Sequence, residues 1–156
     1  MVQRDWRRCG KCKTLFFDGD PSGRKGACPA DGHDHTASGF MFVLSHDVPE
    51  SARAQGAWRF CVKCFAMFFD GFPEKGVCNA DLRSHAAAGF VFVLPHGVSG
   101  SPTEQPNWRF CKNCFVMFFD GSQNKGSCAN TGGHEAQGFN FVLPHIDPDA
   151  QIIDHG

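Results

Sequence analysis

The chain has 156 residues, nearly balanced charge with 15 Lys and Arg against 16 Asp and Glu, and 17 Phe, 18 Gly and 9 Pro but no Tyr. A net of −1 argues against the broad basic surface of a nucleic-acid binder, and no apolar run is long enough to span a bilayer. Phe punctuated by Gly and Pro points to short strands and tight turns, hence an all-β fold. The opening Met1 to Arg8 lacks the apolar stretch of a secretion signal. As written, the chain is expected to be cytoplasmic, where thiols stay reduced, although leaderless export would leave the same sequence.

Three copies of one pattern follow, about 50 residues each, and an internal period overrides a length-based domain count. The expected units are 1–49, 50–99 and 100–156, the last including a C-terminal cap around Ile152 and Ile153. Each copy begins with Trp-Arg-x-Cys-x-x-Cys and continues into Leu-Phe-Phe or Met-Phe-Phe, ending at Asp-Gly, a turn signal. This reads as two strands joined through the Cys-x-x-Cys turn. A loop of variable length then leads to Lys-Gly-x-Cys, with a short helical turn expected downstream, around Ala86 to Ala88. The copy closes with Gly-Phe-x-Phe-Val-Leu-x-His, whose alternation places Phe40, Phe42 and Leu44 together on the core face of a strand. Eleven residues then separate this His from the next Trp in both linkers, which read as extended surface connections. Equal links fit a closed pseudo-threefold arrangement, trefoil- or prism-like, and equally a linear array of zinc ribbons. The Phe content favours the closed form, because a unit of this size hides few rings alone.

The cysteines carry the chemistry. Each copy holds three, and an odd number cannot all pair as disulfides within a unit, whereas three thiolates and one imidazole complete a tetrahedral zinc shell. The expected sites are Cys9, Cys12, Cys28 and His35; Cys61, Cys64, Cys78 and His85; and Cys111, Cys114, Cys128 and His134. Three structural Zn²⁺ per chain follow, with net charge moving to about −4 once nine thiolates are counted. An imidazole in the shell favours zinc over iron. A second recurring His, at His46, His96 and His145, is the alternative fourth ligand. A Cys3His shell leaves no coordination position for an activated water. No nucleophile elbow, P-loop, His-Glu-x-x-His or deaminase signature occurs, so the reading is non-enzymatic.

Other polar positions also recur. Arg7, Arg59 and Arg109 follow the Trp, and Lys25, Lys75 and Lys125 precede the third cysteine, where they would offset the anionic clusters. Trp6, Trp58 and Trp108, with Asp18, Asp70 and Asp120 and with His46, His96 and His145, form a repeated set suited to a sugar ring. Three such sites would bind a polyvalent glycan by avidity, and a protein ligand is the companion reading. The alternatives are a zinc-ribbon array for single-stranded nucleic acid, with Arg and Trp stacking on bases, and a metal-responsive or metal-storing protein. The oligomeric state is not encoded in these motifs.

Trp58-Arg-Phe-Cys61 through Asp70-Gly71, Lys75-Gly-Val-Cys78, and Cys128 through His134 to His145 resemble the tandem cysteine-rich, zinc-ribbon-like repeats of bacterial proteins, notably from actinobacteria and other soil bacteria. The resemblance covers nearly the whole chain. It implies a repeat unit and a bacterial origin, and no activity. Copy 1 departs from it with Ser45 before His46 and a longer Asp18 to Lys25 loop.

Overall fold

In the computed structural model, which describes residues 1–130 and 132–146, no helix occurs among those residues. The strands run in chain order β1 (Val2–Cys9), β2 (Leu15–Phe17), β3 (Ala37–Ser45), β4 (Ala54–Cys61), β5 (Met67–Phe69), β6 (Ala87–Pro95), β7 (Glu104–Cys111), β8 (Met117–Phe119) and β9 (Ala136–Ile146). Each copy therefore contributes the same antiparallel trio, with its Trp-bearing strand in the middle: β2-β1-β3, β5-β4-β6 and β8-β7-β9. The fold is all-β, as expected. The helical turn around Ala86 to Ala88 does not form. Ala87 and Ala88 pair with Cys61 and Phe60 at the start of β6, so ladder bonds take the backbone that a helix would have used. The linkers also differ from expectation, because a tight turn bridged at Ser51↔Ala54 and Ser101↔Glu104 brings β4 and β7 in early. The proposed cap at Ile152 and Ile153 lies outside the described residues.

Each middle strand carries a bulge that aims its Trp. Asp5, Ala57 and Asn107 have φ of 73°, 64° and 75°, and the ladder skips there, between Gln3 and Trp6, Gln55 and Trp58, and Gln105 and Trp108. The extra residue turns the indole inward, and a Gln three residues earlier accepts its N–H at 2.9 to 3.1 Å.

The copies close into a ring. Phe17 N–H donates to Phe65 O, Phe69 N–H to Phe115 O, and Phe119 N–H to Lys13 O, at 2.9 to 3.0 Å. The return strands close in the same sense: His46 bridges Phe92, His96 bridges Phe141, and Phe42 pairs with His145. Each copy thus contacts both others, and the last returns to the first, which is the closed pseudo-threefold form and not the linear array. One core lies on the axis, built from four residues per copy: Trp6, Leu15, Phe42 and Leu44, with Trp58, Met67, Phe92 and Leu94, and Trp108, Met117, Phe141 and Leu143. Trp6 meets Phe92, Trp58 meets Phe141 and Trp108 meets Phe42 edge-on, with ring centroids 5.1 to 5.3 Å apart. The first Phe of each return strand is an exception to the expected core face. Gly39, Gly89 and Gly138, with φ of 76° to 80°, break the alternation just before it, so Phe40, Phe90 and Phe139 stand partly exposed.

Candidate metal centres

The Cys-x-x-Cys segment is the hairpin turn between the first two strands of each copy. Lys13, Phe65 and Phe115, the residues after the second cysteine, take φ of 66° to 71°, and their N–H groups close the turn on the carbonyls of Cys9, Cys61 and Cys111. The loop carrying the third cysteine returns beneath this knuckle. It is anchored by Lys11 to Asp31 and by Lys63 to Asp81, both at 2.8 Å.

These constraints gather the donors. Cys9, Cys12, Cys28 and His35 present four ligand atoms within 4.8 Å of one another; Cys61, Cys64, Cys78 and His85 do the same, as do Cys111, Cys114, Cys128 and His134. All twelve residues are buried. In every cluster the first and third sulfurs are 3.8 Å apart, and the second sulfur lies 3.5 Å from the imidazole Nδ1. A disulfide needs about 2.05 Å, and all nine cysteines are free. A tetrahedral ion with bonds of about 2.3 Å to sulfur and 2.0–2.1 Å to nitrogen gives edges of about 3.8 and 3.5 Å. The donor set therefore fits a metal in all three copies. The fourth donor is His35, His85 or His134, through Nδ1.

The other imidazole nitrogen ties each centre to the next copy. His35 Nε2 donates to Cys64 O, His85 Nε2 to Cys114 O, and His134 Nε2 to Cys12 O, at 2.9 to 3.0 Å. This bond fixes the tautomer that leaves Nδ1 free for an ion, and its acceptor belongs to the neighbouring knuckle. Each ring also stacks on a Phe of its own copy, for example Phe68 on His85 at 4.7 Å. The close approach explains the glycine of Lys-Gly-x-Cys. Gly26, Gly76 and Gly126 have φ of 78° to 81°, and a Cβ on any of them would collide with the same carbonyl of Cys64, Cys114 or Cys12.

The packed donors of each cluster shift one another's proton affinities in opposite directions. Hydrogen bonds from Cys12 and Cys28 hold the Cys9 thiol far below its usual range, while burial, followed by Cys28 and Cys9, pushes Cys12 well up. Burial pushes the imidazole of His35 down, but Cys28 and Cys9 outweigh it and raise its pKa to about 9. His85 and His134 behave alike. A divalent cation relieves both conflicts by replacing the shared protons.

The remaining recurrent residues have other partners. His46, His96 and His145 join no donor cluster. They lie face to face on Phe90, Phe139 and Phe40 of the next copy at 3.6 to 3.7 Å, covering one side of each ring. Trp6, Trp58 and Trp108 are wholly buried. Asp18, Asp70 and Asp120 each sit between the Lys and the Arg of their own copy, for example Asp70 at 2.8 Å from Lys75 and 3.6 Å from Arg59. Arg7, Arg59 and Arg109 also donate to two carbonyls at the glycine bulge of the return strand. These cations thus pair with the aspartates and brace the bulge. Sequence reasoning missed the Gln that holds each Trp and the inter-copy role of the repeated Gly. Both had a signal, since Gln-x-x-Trp and Lys-Gly-x-Cys recur in all three copies.

Fold and site together define the class: an all-β protein of three repeated units closed around one core, with three Cys3His centres at their junctions. Compared with known proteins, the chain matches no family model, no curated protein and no solved structure. The likeness to cysteine-rich repeat proteins thus rests on the repeat and its clusters. No helix among the described residues is long and apolar enough to cross a membrane.

Proposed function

We propose that the chain is a non-enzymatic binding module whose three copies are stapled by zinc. The observation that carries the reading is the closure of each site: four protein donors at tetrahedral spacing, all buried. Mixed thiolate and imidazole ligation in that geometry suits zinc. A shell filled by protein leaves no position for an activated water, so the ion holds structure. Binding then has to use other surface. The aspartates, tied up in ion pairs, and the covered indoles offer little to a sugar, and the inward-bonded arginines offer little to a nucleic acid. The apolar clefts between copies, with their exposed Phe rims, are the better binding surface. Burial of every ligand also favours a structural ion over a stored one, since release would require opening the fold.

Cobalt substitution tests the closed shell. Co²⁺ in place of the native ion is expected to give tetrahedral d–d bands and thiolate charge transfer that added cyanide or azide leaves unchanged. A spectrum that shifts with the added anion means an open coordination position and sinks the non-catalytic reading.

A further inference from the structure

The ring closure creates three equivalent clefts, one between each pair of copies, and their chemistry differs. The cleft between the second and third copies has a volume of about 250 Å³. Its floor is Trp58 and Phe141, both buried, its walls are Phe69 and Phe110, and its rim is Phe72 and Phe139, each 48% exposed. These rings brace one another: Trp58 meets Phe141 at 5.3 Å, Phe69 meets Phe110 at 6.1 Å, and Phe69 meets Phe72 at 5.2 Å, all edge-on. No charged residue lines it.

The two sister clefts each carry a charge. Where the second copy has Phe72, the first has Asp20, which lies at the mouth of a cleft of about 170 Å³. Where the third copy has Phe110, the first has Arg8. Its guanidinium lies over the Phe119 ring at 5.5 Å and lines a cleft of about 140 Å³. One scaffold has thus been given an anionic, a cationic and a neutral version of the same cleft, and the neutral one is the roomiest.

We propose that the cleft between the second and third copies binds a small, uncharged, planar aromatic molecule of one or two rings. A dry cavity of about 150 Å³ accepts benzene, so about 250 Å³ accommodates one ring with substituents or two fused rings. The ligand ring continues the edge-to-face pattern already present on floor and walls. Preformed walls need little ordering on binding. One polar group on the ligand has a partner, since Gln55 spends its amide oxygen on Trp58 at 3.1 Å and Gln137 lines the opposite side. A charged ligand is disfavoured, because it would leave water for a cleft without a counter-charge.

The proposal rests on the binding-module reading, and the test separates the two by measuring metal content on the same sample first. The probe is 2-naphthol, titrated into the metal-loaded protein and followed through the indole N–H signals of the three Trp and the backbone amides by NMR. The expected result is a saturable shift of Trp58 Nε1–H and the Phe139 amide, with Trp6 and Trp108 unmoved, and no such shift with 2-naphthoate. Phe139→Ala and Phe72→Ser, both at exposed positions, should each weaken binding by about two- to tenfold, while Phe40→Ala, at the equivalent position beside Arg8, leaves it unchanged. Metal-loaded protein that gives no saturable shift, equal shifts at all three Trp, or equal effects of Phe40→Ala and Phe139→Ala would each overturn the assignment.

Discussion

Two glycines of the second copy share a positive φ and differ in what surrounds them, which makes them a measure of how tightly the copies are joined. Gly76 has φ of 78° and Gly89 has φ of 76°. A Cβ at Gly89 meets nothing within 4 Å, whereas at Gly76 it runs into the carbonyl of Cys114 and the Cβ of Phe115 in the third copy. Gly89→Ala therefore costs only the left-handed backbone penalty, about 1–2 kcal/mol. Gly76→Ala bears the same penalty plus overpacking of about 1–3 kcal/mol. The displaced carbonyl also weakens its bond from His85 Nε2, which is 2.9 Å long and worth about 1 kcal/mol. The expected total is about 3–6 kcal/mol, so the two variants should differ by at least about 2 kcal/mol. Urea denaturation at fixed free zinc, followed by Trp fluorescence, measures both. Equal destabilisation by the two variants would refute the claim that the knuckle of one copy is packed against the loop of its neighbour.

Other consequences concern the ligands and their surroundings. His85→Ala should lower the metal count by one ion per chain, while His96→Ala, which removes only a stacked ring, should leave the count unchanged; inductively coupled plasma mass spectrometry decides between the two histidines. Because the His85 pKa is raised to about 9 in the metal-free site, the imidazole is protonated at neutral pH and the ion has to displace that proton. Metal affinity should therefore fall on acidification and still be rising with pH at about 9, because hydrogen bonding with Cys61 and Cys78, together with burial, pushes the Cys64 thiol well up; proton release should appear as buffer-dependent heats in calorimetry, and heats independent of buffer would contradict this. Trp58→Ala, which empties a wholly buried site on the axis, should cost about 3–5 kcal/mol. Asp70→Ala removes an ion pair near the surface and should cost no more than about 1 kcal/mol, again with no change in metal content.

Much of this architecture was readable from residue spacing because the constraint repeats. Three identical offsets from Trp to the first two cysteines, followed by Lys-Gly-x-Cys, fix a knuckle, a hairpin and a distant third thiol before any coordinate is known. The choice of His35, His85 and His134 followed from closeness to that thiol, and the structure brings those three to the sulfurs. What could not be read was direction. Phe40 sits in a strand whose alternation points it inward, but Gly39 at φ 77° turns the strand, and the ring ends beside His145 of another copy at 3.6 Å. The same holds for Trp6, whose indole looked suited to a sugar until the bulge at Asp5 aimed it at the axis. Periodicity assumes unbroken strands, and each long strand here carries a bulge. Ring closure is favoured by the Phe content but not fixed by the linkers, since equal lengths fit a line or a circle, and the bonds that decide, such as His134 Nε2 to Cys12 O at 3.0 Å, join residues at opposite ends of the chain.

Three Cys3His clusters, one per copy, are positioned to hold an ion each, and the proposed occupant is zinc. Native mass spectrometry of the protein purified without added metal or oxidant tests it most directly. The expected mass is that of the chain with three zinc ions and nine deprotonated or metal-bound thiols, and chelation should unfold it. A metal-free chain that stays folded, or one whose mass shows cysteines lost to disulfides, would contradict the account.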